Sequence, residues 1–378
     1  MDMIKRFITC YVPVHACNFR CSYCYLSHHK NIDAYGGGIK PFVMEPEMIA
    51  KSLSIERLGG VCYFNLCAAG ETMLHKEIIP LVQALTRQGH YVDIVTNGTI
   101  SGSIDNLIET CSDEQKDHIF IKFSLHYLQL LEKSLIATFV SNVKKIRDFG
   151  ISYSIEVTPH DELVPYIDEL KRFSMKEFGA LPHITVARNE GTSKIDLLTK
   201  YSKEEYRDIW STFDSRLFDF KLSVFNQRRK EFCYAGCWSL AVNLEDGNYS
   251  QCYIGSRLGN IKEMDKPINF RPIGKCREPH CFNAHAFLAF GNIPEIQTPT
   301  YLEERDRVCE DGSHWVSEKM GDFFKSKTYQ TNKQLSIEEQ KKIKQKEMIY
   351  RLEDIRLRLK GKLEKSVSYT HLTLPTTE

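Results

Sequence analysis

The sequence predicts an α/β fold. Six strand–helix units form an open, three-quarter (β/α)6 TIM-like barrel, followed by a small metal-binding unit and a helical tail. Three observations predict this. Apolar, strand-like runs alternate with amphipathic stretches across residues 7–188, the pattern of a parallel sheet with right-handed crossovers. Cysteines gather in two sets, one directly after the first strand-like run and one within residues 233–281. A charged helical pattern closes the chain.

The elements follow in order. FITCYVPV (7–14) reads as the first strand. Residues 45–58 read as a helix stopped by Gly59 and Gly60. VCYFNLC (61–67) is a continuous apolar run, as a parallel strand covered on both faces must be. Residues 76–88 form an amphipathic helix with Ile79, Val82 and Leu85 on one face. YVDIVTNG (91–98) and IFIKFSLH (119–126) are strands three and four. A helix over 138–150 leads to ISYSIEVT (151–158), strand five. A helix over 161–179 leads to LPHITVAR (181–188), strand six. In barrels of this kind the chemistry sits at the C-terminal strand ends.

Composition narrows the function. The chain has 378 residues, which suggests two or three units at about 150 residues each. Hydrophobic residues make up 42%, enough for a large core. Fifty Lys and Arg against 49 Asp and Glu give a formal charge of +1, which argues against nucleic acid or anionic membrane as a general partner. No apolar run reaches the roughly 18 residues of a membrane span. The start has no export signal, so the expected location is cytoplasmic. The 13 cysteines are an odd number. In a reducing compartment they point to metal rather than to a disulfide framework.

Cys17, Cys21 and Cys24 lie in CNFRCSYCY, a Cys-x3-Cys-x2-Cys loop. Three thiolates on one short loop can hold three irons of a cubane iron–sulfur cluster and leave the fourth open. Cys10 lies in a strand-like run and is a poor fourth ligand. The plain alternatives are a zinc knuckle with a remote fourth ligand, or three unrelated thiols. The loop resembles the signature of the radical S-adenosylmethionine (radical SAM) superfamily, with Tyr23 at the aromatic position. The resemblance implies a SAM-binding 4Fe–4S cluster and S-adenosylmethionine as cofactors. It also implies reductive cleavage to a 5′-deoxyadenosyl radical, and a hydrogen atom taken from a small-molecule or peptide substrate. An electron donor such as flavodoxin or ferredoxin is implied as well.

The strand ends can be compared with the same family. Ala69-Gly70-Glu71 resembles its Gly-Gly-Glu motif, which receives the cofactor amino group; by itself the triplet is also an ordinary tight turn. Thr96-Asn97-Gly98 is a common family ending and also a simple turn. Ser124 resembles a cofactor-contacting position. Relatives with Ser-Leu-Asp-Gly there carry an Asp that this chain lacks, since it reads Ser-Leu-His-Tyr. Glu156 sits between Ile155 and Val157, where a carboxylate needs a partner. It is expected either at the cofactor ribose or facing solvent. Arg188 is expected to pair a cofactor carboxylate, to bind an acidic substrate group, or to lie on the surface. His126 and His160 also end strands.

Cys233, Cys237, Cys252, Cys276 and Cys281 form the second set. CWSLAVNLEDGNYSQC reads as a hairpin turning at Glu245–Asn248, which would bring Cys237 and Cys252 together. Cys276 and Cys281 would complete four ligands, with Cys233 left over or exchanged for Cys237. The Cys-x9-Gly-x4-Cys element resembles the auxiliary-cluster domains called SPASM and twitch. The cysteine count fits the single-cluster twitch form, which implies a second 4Fe–4S cluster. A four-cysteine zinc site has the same spacing.

Ser336-x-x-Glu339 is a capping box ahead of a helix through Met348, Leu352, Ile355 and Leu359. Residues 368–378 break the style of the chain and resemble translated sequencing adapter. The expected organisation is therefore a core at 1–215, an auxiliary-cluster unit at 216–295, a helical extension at 296–366, and non-native sequence at 367–378. The leading expectation is a radical SAM enzyme that oxidises or modifies a peptide or sugar-type substrate. The competing one is a metal-binding regulatory or scaffold protein without turnover.

Overall fold

The structure, a computed structural model, describes residues 2–28, 37–189 and 195–346. The helix through Met348, Leu352, Ile355 and Leu359 and the segment 367–378 lie outside the described residues.

Nine strands form one open sheet in the order β9-β8-β7-β1-β2-β3-β4-β5-β6. The strands are β1 (Arg6–Val12), β2 (Cys62–Ala68), β3 (Tyr91–Thr96), β4 (Ile119–Ser124), β5 (Ser152–Val157) and β6 (His183–Ile184). β7 (Ser239–Asn243), β8 (Asn248–Ser250) and β9 (Arg257–Asn260) complete it. β1 to β6 are all parallel, as the alternation of strands and helices requires. The sheet is the partial barrel expected, and it does not close.

One connection is new. β7 pairs parallel with β1, from Phe7 opposite Ser239 to Tyr11 opposite Asn243. The hairpin β7–β8 therefore extends the barrel sheet across the edge of its first strand. The segment after residue 216 is joined to the core by a full ladder of backbone hydrogen bonds.

Alternation along the strands sorts side chains into an outer and an inner face. Ile8, Cys10, Phe64, Leu66, Ile94, Ile121 and Ile155 are buried on the outer face, among the helices. Inside, the layers differ in chemistry. Phe7, Tyr63, Tyr91 and Phe120 line the base. Thr9, Asn65, Asp93 and Lys122 form a polar middle layer, with Lys122 Nζ 3.3 Å from the Asp93 carboxylate. Cys67, Val95 and Ser124 face the top.

The base is closed by the C-terminal segment. Tyr301, Val316, Met320, Phe323 and Phe324 join the aromatic cluster, and Phe323 stacks on Tyr91 with centroids 3.8 Å apart. The helix Glu318–Lys325 that carries the phenylalanines starts at Ser317, whose side chain caps Met320 N and meets Ser152 Oγ at 3.0 Å. Each fully buried Phe contributes roughly 1.5–3 kcal/mol. The extension expected from sequence thus begins as the floor of the barrel. Beyond it, the Ser336–Glu339 capping box forms, with Ser336 N donating to Glu339 at 2.7 Å.

Candidate functional site

The first cysteine loop leaves β1 and crosses the end of β2. It lies directly on Gly70: a Cβ there would stand 2.0 Å from Ala16 O. Only glycine permits this approach. The Glu71 N–H donates to Ala16 O at 2.8 Å, which pins the loop to the strand end. Within the loop Cys24 N donates to Cys21 O at 3.1 Å, and Phe19 N lies 3.4 Å from Cys17 Sγ.

A cleft of about 1070 Å³ opens at the C-terminal strand ends, the side this fold uses for chemistry. Cys17, Cys21, Cys24, Tyr23, Gly70, Glu71, Ser124 and Arg188 all line it. These residues come from four different places in the chain. Burial pushes the Cys17 thiol up and the Cys21 thiol up to about 12. Thiols this enclosed become thiolates only against a strong local cation, as a metal cluster provides.

Glu71 is buried and ties two strand ends together. It accepts from Thr96 Oγ1 at 2.6 Å, from Asn97 N at 2.7 Å and from Met73 N at 2.9 Å. Burial raises its pKa and these three bonds oppose that rise. Asn97 in turn donates to Asn18 Oδ1 at 2.7 Å, so the β3 end also grips the cysteine loop. The Thr-Asn-Gly ending therefore has a mechanical role that the motif alone did not show.

Tyr23 is fixed by two histidines. Its hydroxyl meets His126 Nδ1 at 2.9 Å and its ring stacks on His160 at 3.9 Å. Burial lowers His126 to about 4, so at neutral pH the imidazole is uncharged. His126 serves as a clamp on the loop.

Glu156 is not among the residues that line the cleft, and its side chain is 17% exposed. Its carboxylate is buried below, 3.4 Å from Arg305, a fully buried residue of the floor segment. Arg305 and Lys122 hold it ionised, below the usual carboxylate range despite its burial. This ion pair arrives from 149 residues away and has no local signal. Arg188 does reach the cleft. Its guanidinium lies 4.4 Å from the Tyr25 ring centroid and donates to Phe282 O at 3.1 Å.

The second cysteine set is regrouped. Cys233, Cys252, Cys276 and Cys281 line one apolar cavity of about 550 Å³. Cys237 is not among them and packs against Phe232, Tyr234 and Trp238. The reason is tertiary. Phe232–Cys233 pairs antiparallel with Gly274–Lys275, placing Cys233 beside the Cys276 loop. The tight turn at Gly236, with φ +97°, then sends the chain into β7. The hairpin forms as expected, with Ala241 opposite Ser250, but its first cysteine points elsewhere. Burial raises Cys252 to about 11 and Cys281 to about 12.

Among the described residues, no three His, Cys, Asp or Glu side chains converge tightly as a single-ion site requires. A multi-iron cluster spreads its thiolates over a larger body. Three thiols on the rim of one cleft and four around one cavity are donor sets of the right chemistry for such clusters.

Residues 11–170 match the family model of the radical SAM superfamily. Those residues form a radical SAM domain. None of the curated proteins matches its sequence. Among solved structures, it is similar to Streptococcus suis SuiB bound to S-adenosylmethionine, at 13% identity over 71% of this chain and 66% of that one, with a TM-score of 0.48. It is similar to native anSMEcpe with bound AdoMet, at 16% identity over 69% and 79%, TM-score 0.46. BtrN in complex with AdoMet and 2-DOIA shares 15% identity over 70% and 80%, TM-score 0.31. The chain thus spans 66% of the length of SuiB. No helix among its described residues is long and apolar enough to cross a membrane.

Proposed function

We propose that this chain is an enzyme that binds a 4Fe–4S cluster through Cys17, Cys21 and Cys24, and S-adenosylmethionine in the adjoining cleft. The observation that carries the reading is the meeting of those three thiols with Gly70, Glu71 and Ser124 around one cleft at the C-terminal strand ends. When bound, the cluster and S-adenosylmethionine supply a reductively generated 5′-deoxyadenosyl radical that takes a hydrogen atom from a substrate carbon. The protein's own residues hold the geometry. Gly70 lets the loop lie against β2, Glu71 locks the β2 and β3 ends, and the Tyr23–His126 bond fixes the ring between Cys21 and Cys24. The aromatic floor and the Asp93–Lys122 layer keep bulk water out from below.

Cys233, Cys252, Cys276 and Cys281 are the ligands of a second, fully ligated cluster in this reading. Such a site can take the electron left on the substrate radical, which makes the net reaction a two-electron oxidation, or it can bind substrate or relay electrons. Reduced electron-transfer proteins of the flavodoxin or ferredoxin type would supply the starting electron. Iron analysis after anaerobic reconstitution tests the assignment. Wild type should hold about eight irons, and the Cys17, Cys21, Cys24 triple alanine variant about four. About four irons with one zinc in wild type would remove the second cluster.

A further inference from the structure

Two amide side chains in the wall of the second cysteine cavity are only half paired. Asn292 is fully buried, and its Nδ2 donates to Ser239 Oγ at 2.7 Å. Its Oδ1 is buried and has no hydrogen-bond partner. Asn283, 5% exposed, repeats the arrangement. Its Nδ2 donates to Tyr253 Oη at 3.3 Å, and its Oδ1 is buried without a partner. Both residues line the cavity that Cys233, Cys252, Cys276 and Cys281 share. Much of the remaining wall is apolar, with Ala235, Ile273, Phe287, Leu288 and Ile293.

Each amide stands beside one of the cysteines. Tyr234 N, next to Cys233, donates to Asn292 O at 2.9 Å, and Asn292 N donates to Phe287 O at 2.9 Å. The main chain of Asn292 is therefore held from both sides. Asn283 follows Cys281 by two residues, inside the turn that Ala284 N closes on Cys281 O at 3.2 Å. An amide oxygen buried without a donor is costly. The two ends of an amide have the same shape, so turning the side chain over exchanges them. After that turn, Asn292 Oδ1 accepts from the Ser239 hydroxyl and Asn283 Oδ1 from the Tyr253 hydroxyl, since a hydroxyl donates as well as accepts. Both orphaned oxygens are then paired. Each NH2 group takes the position where no protein group meets it, in the wall of a cavity lined by four thiols.

We propose that the amide N–H groups of Asn283 and Asn292 donate to sulfur of the second cluster and raise its reduction potential. This rests on the reading of Cys233, Cys252, Cys276 and Cys281 as the ligands of a 4Fe–4S cluster. Reduction adds negative charge inside a largely apolar enclosure, so donors to sulfur stabilise the reduced form more than the oxidised one. A raised potential suits a site that takes up an electron.

The test is redox potentiometry followed by EPR on the full chain with Cys17, Cys21 and Cys24 changed to alanine, so that the second cluster alone is observed. Asn292→Leu in that parent should keep about four irons. It should weaken reduction about tenfold, which lowers the midpoint by about 59 mV for one electron. Asn283→Leu should shift the midpoint in the same direction. If Asn292→Leu does not fold, Asn283→Leu carries the comparison. Loaded variants whose midpoints stay at the parent value, or rise, overturn the proposal and leave the second cluster standing. A parent that holds zinc, or no iron, removes the second cluster and this proposal with it.

Discussion

Gly70→Ala should dislodge the cysteine loop. The added Cβ would sit 2.0 Å from Ala16 O, 2.6 Å from its carbonyl carbon and 2.8 Å from its nitrogen. All three are backbone atoms, so no side chain can swing aside. Ordinary contact begins at 3.4 Å, so the loop must retreat by about 1.4 Å, the difference from 2.0 Å. That movement breaks the bond from Glu71 N to Ala16 O, 2.8 Å long, one residue before Cys17. Overpacking costs about 1–3 kcal/mol and the lost hydrogen bond about 1 kcal/mol. The control is Gly102→Ala, in the helix Ser101–Thr110, where a Cβ meets nothing within 4 Å. That change should be neutral or stabilising by up to about 1 kcal/mol. The assay is iron per chain and the unfolding midpoint after anaerobic reconstitution. Gly70→Ala should lose about half the iron, roughly four of eight, and unfold earlier. Wild-type iron and an unchanged midpoint would refute the claim that the loop is seated on Gly70.

Other outcomes follow from the same geometry. Cys233→Ala should lose the iron of the second site, whereas Cys237→Ala should keep it; the reverse result would restore the hairpin pairing expected from sequence. Glu71→Gln places an amide where three donors converge, and should cost about 1–3 kcal/mol in denaturant unfolding and weaken S-adenosylmethionine binding in equilibrium dialysis. Unchanged affinity in a folded variant would take Glu71 out of the site. Phe324→Ala should destabilise by about 3–5 kcal/mol. A loss near zero would mean that the C-terminal segment is not the floor of the barrel.

The six parallel strands were legible because apolar, strand-like runs alternate with helical patterns along residues 7–188. Where the expected elements shifted, backbone chemistry explains it. The helix over 45–58 breaks at Leu53, because Ser54 caps a second turn by accepting from Arg57 N. The helix over 161–179 opens as a 3-10 turn that contains Pro165. Strand six shortens to His183–Ile184, whose partners are only Glu156 and Val157. The helix Lys203–Trp210 was missed although Ser202 and Glu205 form a capping box, a signal present in the sequence.

The first site was readable because its three thiols and their tyrosine lie within eight residues, and spacing encodes local geometry. What was not readable depends on distant partners. Nothing near Glu156 announces Arg305. Nothing near Cys233 announces that Gly274 will pair with it. The parallel ladder of β7 on β1 joins segments more than 230 residues apart.

The central claim is that the cleft at Cys17, Cys21 and Cys24 cleaves S-adenosylmethionine reductively. The direct measurement is 5′-deoxyadenosine formed by the anaerobically reconstituted protein under dithionite, without substrate. Wild type should form it, and a folded Cys252→Ala variant should retain this uncoupled cleavage. The Cys17, Cys21, Cys24 triple alanine variant should form none. A folded, iron-loaded wild type that makes no 5′-deoxyadenosine, or a triple variant that makes as much as wild type, would contradict the account.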